Sequence, residues 1–70
     1  MKLISTINKS LGFQAKVYFN PEFSEYIVKY YENKKQLPEA TFYYTDDKED
    51  AISTAYAELQ YMQNNNALTD

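Results

Sequence analysis

The chain carries ten carboxylates, seven lysines and eight tyrosines but no histidine, cysteine or arginine, and that inventory limits its chemistry at once. Without imidazole or thiol it lacks the usual general base at neutral pH, an imidazole metal ligand and a thiolate nucleophile. A paired-carboxylate mechanism needs two acids flanking a cleft, whereas Asp46, Asp47, Glu49 and Asp50 crowd one short stretch. That run lacks the central glycine and the twelfth-position glutamate of a calcium loop, and nothing in it calls for magnesium. The single glycine, Gly12, rules out a glycine-rich phosphate cradle. The expectation is a protein that is not an enzyme, with no catalytic residue, no metal site and no cofactor.

What remains is recognition chemistry, and two groups of residues carry it. Lys16, Tyr18, Ile27, Lys29, Tyr31 and Tyr43 fall at alternating positions of three segments with strand character. Tyrosine offers rigid contact area with a hydrogen-bonding tip, which suits a partner site. It also has high β-propensity, and cross-strand tyrosine pairs stabilise an open sheet with no partner at all. Asp46, Asp47, Glu49 and Asp50 form the second group, either an acidic patch for a basic partner or a set that caps a helix and complements its dipole. The charge is uneven along the chain. Residues 1–38 hold six Lys and three Glu, a balance of +3, and residues 39–70 hold one Lys and seven acids, a balance of −6. The two halves would present opposite potentials if they formed opposite sides of the domain. The absence of arginine counts against bidentate recognition of guanine or phosphate.

The elements that must position these residues read as follows. Residues 2–11 predict a short helix, with Leu3, Ile4, Ile7 and Leu11 on one stripe and Gly12 as its left-handed stop. Period-two alternation over 13–19 sets Phe13, Ala15, Val17 and Phe19 against Gln14, Lys16 and Tyr18, a strand. Asn20-Pro21 breaks it. A second strand spans about 25–31, Glu32-Asn33-Lys34-Lys35 is a turn with Asn33 at positive φ, and Pro38 delays a third strand to about 40–45. Residues 46–63 predict the longest helix, capped by Thr45 or Asp46 with Glu49 as a capping-box partner, and Ile52, Ala55, Tyr56, Leu59 and Met62 as its apolar stripe. The fold class expected is α+β, in the order α-β-β-β-α: a three-stranded antiparallel sheet with both helices packed on one face. Leu3, Ala40, Phe42 and Tyr44 are placed in its core, and Tyr43 on the uncovered face.

Seventy residues suffice for one domain, placed at 1–66, with 67–70 as a frayed tail. At 44 % apolar and 17 % aromatic the chain is too rich in buriable surface to stay disordered. It has no apolar run of membrane-spanning length and no secretory leader pattern, so a cytoplasmic protein without membrane contact is expected.

Two resemblances follow from particular residues. The element order, with the alanine and leucine spacing of Lys48-Glu49-Asp50-Ala51-Ile52-Ser53-Thr54-Ala55-Tyr56-Ala57-Glu58-Leu59, resembles the double-stranded RNA-binding domain. The basic cluster that opens that family's final helix is replaced here by Asp46, Asp47, Glu49 and Asp50, which repel phosphate. Its Gly-Pro-x-His loop is replaced by Asn20-Pro21-Glu22-Phe23. Lys16-Val17-Tyr18, Glu25-Tyr26-Ile27-Val28-Lys29-Tyr30-Tyr31 and Thr45-Asp46-Asp47-Lys48-Glu49-Asp50-Ala51 with Thr54-Ala55 look like short reading frames of tailed bacteriophages, cyanophage-type ones included. That resemblance implies a viral origin. The function expected is that of a small viral protein that binds a host protein and modulates or inhibits it. The contact surfaces would be the tyrosine-rich sheet face and the acidic helix start. Nucleic-acid binding on the Tyr/Lys face is the alternative, and a homodimer burying that face is a third reading.

Overall fold

The computed structural model describes residues 1–9 and 12–69, with side chains described to residue 65. Its first element is a strand, β1 (Lys2–Asn8), where a helix was expected. Ile4, Thr6 and Ile7 are β-branched and pack well on a pleated surface, while their stiff χ1 weakens a helix. The helical spacing of the apolar residues has a different origin. The β1 register slips between Leu3 and Ser5, a bulge that inserts Ile4 as an extra residue. Ile4 and Ile7 therefore both pack toward the core although they lie three apart. A bulged strand thus imitates a helical stripe. Leu11, the last member of that expected stripe, lies outside the described residues.

β2 (Phe13–Asn20) and β3 (Glu25–Glu32) form the long central hairpin, in register from Phe13↔Glu32 to Asn20↔Glu25. At its tip the Asn20 Oδ1 accepts the Glu22 N–H at 3.1 Å, the local bond expected of an Asx turn. β4 (Lys35–Gln36) follows a two-residue loop, Asn33-Lys34, in which both residues have positive φ (52° and 70°). That is the backbone a type I′ hairpin needs. Pro38 cannot donate to a ladder, and the chain leaves the sheet for one 3-10 turn, Glu39–Thr41, closed by Thr41 Oγ1 donating to the Pro38 carbonyl at 2.6 Å. It returns as β5 (Tyr43–Thr45), which pairs with the other half of the same β3 edge, Val28↔Tyr43 to Tyr26↔Thr45. Of the third strand expected over 40–45 only Tyr43–Thr45 forms, and Lys35–Gln36 takes another part of the same β3 edge.

The last element is α1 (Lys48–Thr69), a helix of 22 residues that runs through Asn64, Asn65 and Asn66 rather than ending at 63. Asp70, the end of the expected tail, lies outside the described residues. The architecture is β-β-β-β-β-α, an antiparallel sheet with one helix across one face. It corrects the expected α-β-β-β-α with two helices and three strands, and it is not the element order of the double-stranded RNA-binding domain. No helix among the described residues is long and apolar enough to cross a membrane.

The core lies between α1 and the inner sheet face. Phe13, Ala15, Val17, Val28, Tyr30 and Ile7 meet Ala51, Ala55 and Leu59, which repeat every fourth residue along the helix. The two alanines are fully buried and let the helix axis approach β2 closely; Leu59 fills the space beyond them. Truncating a buried leucine of this kind to alanine costs about 2–5 kcal/mol. Tyr56, placed in the helix stripe by its spacing, points outward instead, and the Lys9 ammonium sits 5.7 Å from its ring centroid. Leu3, Ala40 and Tyr44 are exposed, and the Phe42 ring lies beside Lys29 rather than in the core cluster, contrary to their expected place in the core.

Candidate functional site

The sheet face turned away from α1 is built by the alternation of the strands, broken in β1 by the bulge at Ile4, and the register arranges its side chains in three rows. Leu3, Tyr18, Ile27 and Tyr44 make the first row across β1, β2, β3 and β5. Thr6, Lys16 and Lys29 make the second, with the Phe42 ring beside Lys29. Asn8, Gln14, Tyr31 and Gln36 make the third. Five of the six residues expected on this face stand on it: Lys16, Tyr18, Ile27, Lys29 and Tyr31. Tyr43 does not. It pairs with Val28, an inward residue, so its side chain points to the helix, and Tyr44 takes the outer place. Phe42, Tyr43 and Tyr44 are three aromatics in a row, with no polar residue to mark which way the strand faces, and the 3-10 turn before them shifts the alternation by one.

The middle row is electrostatically unusual. Lys16 and Lys29 are direct cross-strand partners, and like charges so placed repel. Each ammonium lies over aromatic rings instead of a carboxylate. Lys16 Nζ is 4.9 Å from the Tyr31 centroid, and Lys29 Nζ is 5.1 Å from that of Tyr18 and 5.4 Å from that of Phe42. A cation over a ring gains about 0.5–1 kcal/mol at an exposed site, the same order as the cross-strand repulsion it offsets. None of the residues in the three rows is acidic; Glu25, opposite Asn20, stands at the far end of the face. The third row is held by side-chain amides: Gln14 Nε2 donates to Asn8 Oδ1 at 2.7 Å and the Tyr31 hydroxyl to Gln36 Oε1 at 3.3 Å. Burial, followed by the neighbouring Tyr18 hydroxyl, raises the Tyr31 phenol above the ordinary tyrosine range. Ile27 is the one outer-face residue that is nearly enclosed, 7 % exposed, under its aromatic and lysine neighbours. The face is therefore a set of ordered rings around two cations with no acid in their rows. It can receive a carboxylate or phosphate between the lysines and apolar groups around them.

The acidic helix start is a different surface, with internal duties of its own. Asp47 is the cap: its Oδ1 accepts the backbone N–H of Glu49 at 2.9 Å and of Asp50 at 3.3 Å. The Asp47 N–H donates to Thr45 Oγ1 at 3.2 Å. This corrects the expected cap at Thr45 or Asp46. Asp50 Oδ2 accepts the Tyr43 hydroxyl at 2.7 Å, which ties β5 to the first turn of α1. That bond, with a further one from Thr45, holds the Asp50 carboxyl below the usual carboxylate range, and the same contact raises the Tyr43 phenol. Asp46 and Glu49 remain exposed. Among the described residues no group of three or more acids gathers where a metal ion could be held.

Among the described residues one buried side-chain group has no partner. Tyr30 is 1 % exposed, and its hydroxyl makes no hydrogen bond. Burial first, then the charges of Glu58 and Tyr43, push its phenol up to about 12. The sequence marked Tyr30 as a core residue, and no spacing could have shown that its hydroxyl would be left beneath the helix.

The chain matches no family model, and no curated protein or solved structure is significantly similar to it.

Proposed function

We propose that this chain is a non-catalytic interaction protein whose outer sheet face binds an acidic surface of a partner protein. The observation that carries this reading is the Lys16–Lys29 pair, opposed in register and ringed by Tyr18, Tyr31 and Phe42 with no acid in its rows. The repulsion between the two ammoniums, which the rings only offset, is relieved when an anionic group docks across both lysines. The exposed Leu3 and Tyr44 add apolar contact at one side. The lack of histidine and cysteine supports a role without catalysis. The likeness to short phage reading frames supports a partner from a bacterial host cytoplasm whose activity the chain modulates. A phosphate backbone is the second reading, since paired cations among rings also suit single-stranded nucleic acid. The ring faces of Tyr18 and Tyr31 are already occupied by lysine, however, and base stacking would have to displace it. A protein carboxylate needs no such displacement.

Capture from a bacterial lysate with and without nuclease, using the native chain beside a Lys16→Gln/Lys29→Gln variant, tests both. A protein retained after nuclease and lost in the double variant is the expected result. Retention that disappears with nuclease, and weakens steeply with salt, would transfer the face to nucleic acid. Retention unchanged in the double variant would remove this face from the function.

A further inference from the structure

The helix-bearing side of the molecule has a concavity that the outer face does not use. Between the C-terminal half of α1 and the adjoining end of the sheet lies an open groove of about 350 Å³. Its floor is apolar, with Phe13, Leu37 and Met62 contributing. Glu58 and Tyr61, three residues apart and so neighbours on the helix surface, stand on its rim. Glu32, which pairs in register with Lys35 across β3–β4, borders the groove as a second acid, so its rim is negative on both the sheet side and the helix side. Along α1 the residues four before and four after Glu58 are Thr54 and Met62, so no helical ion-pair ladder serves it. Tyr61 is 62 % exposed, a large ring held in water beside that carboxylate.

These parts match one kind of side chain. A guanidinium is planar, weakly hydrated and stacks on aromatic faces, and it takes a carboxylate in a forked pair of hydrogen bonds. Its three-carbon stem needs apolar cover. The volume is at the small end for ligand sites, and the groove is open, which suits one long side chain rather than an enclosed metabolite. We propose that this groove receives an arginine side chain of a partner protein, with Glu58 taking the guanidinium, Tyr61 stacking on it, and Phe13, Leu37 and Met62 holding the stem. The site is independent of the lysine face, and either can fail without the other.

The probe is n-butylguanidinium, with the neutral n-butylurea as control, followed by amide chemical shifts of the labelled protein at low salt. Saturable shifts centred on Phe13, Leu37, Tyr61 and Met62, with a dissociation constant of roughly millimolar order, are expected for the cation. Butylurea should give none. Glu58→Gln should weaken the cation about tenfold or more, the scale of one charge-assisted contact, and Lys16→Gln should leave it unchanged. Tyr61→Leu keeps apolar contact but removes stacking, and at an exposed position it retains the fold; it should weaken the cation several-fold. Equal response to butylurea, shifts gathered around Asp46 and Asp47 instead, no saturation by about 20 mM, or affinity unmoved by both variants would overturn the assignment.

Discussion

A phenol that is almost fully enclosed and makes no hydrogen bond is a local defect, and Tyr30 is one. Removing an unsatisfied buried hydroxyl while keeping the ring returns its desolvation cost. Tyr30→Phe is therefore expected to leave stability at pH 7 unchanged or raise it by up to about 1 kcal/mol in urea melts. Its folded-state value lies above the ordinary 10.0, so the neutral form is favoured by folding. The associated stability is complete below pH 10 and is lost as pH rises toward about 12. The Phe variant should show a shallower decline over that window. Asp50 behaves in the opposite sense. Tyr43 and Thr45 depress its carboxyl below 3.8, so it contributes stability above that pH and loses it as pH falls through the depressed value. Melts of Tyr43→Phe should show a lower Tm at neutral pH and a smaller further drop between pH 4 and pH 2 than the native chain. An acid branch as steep as the native one would mean the bond is not made.

Among the elements, α1 depends on its first turn. Asp47 alone satisfies two of the orphan N–H groups there, whereas Asp46 makes no such bond. Asp47→Ala should cost about 1 kcal/mol, and Asp46→Ala only a few tenths, by thermal or urea melts. Equal effects would favour a cap shared between the two. The composition of the run 46–50 did announce a helix start, since Asp, Glu and a preceding Thr are what such a start requires. Which acid became the cap depended on where β5 released the chain. At the other end of the molecule, β1 shows how the same signal can have two causes. Ile4 and Ile7 share a side because a bulge adds one residue, and apolar spacing alone cannot separate that from a helical turn. The β-branched content of Ile4-Ser5-Thr6-Ile7 was the available discriminator.

For the molecule as a whole, the two opposed lysines of the outer face add a repulsion that the sheet must balance with its rings. Lys16→Glu would turn the repelling Lys16–Lys29 pair into a cross-strand attraction but forfeit the Lys16–Tyr31 contact, worth about 0.5–1 kcal/mol, so a small net gain of at most about 1 kcal/mol is expected in urea melts. The same change should abolish partner capture by that face, because it reverses the charge offered. Stability rising while capture is lost would be the signature of a surface kept for recognition at some cost to the fold. A face that merely stabilises the sheet would show no such opposition. With about 60 % of its unfolded surface buried, a chain of this size has little margin for such a cost. The large contributions come instead from the seam where Ala51, Ala55 and Leu59 close on Val17 and Val28.

Much of the central architecture was legible in the residues alone. Alternation over 13–19 is uninterrupted, residues 25–31 read as a strand although neither face is strictly polar, Asn20-Pro21 and Asn33 are turn residues with known backbone needs, and the hairpin they define set five outer-face residues correctly relative to one another. The absence of histidine, cysteine and arginine likewise bounds the chemistry before any coordinates are considered. Tertiary structure decided the rest, because it turned on long-range pairing. A free edge of β2 was available to make Lys2–Asn8 a strand, and one edge of β3 had to be shared between β4 and β5, which reversed Tyr43 and Tyr44. Local periodicity records which residues seek burial; it does not record which partner strand is there to meet them, and a shift of one residue exchanges the two faces.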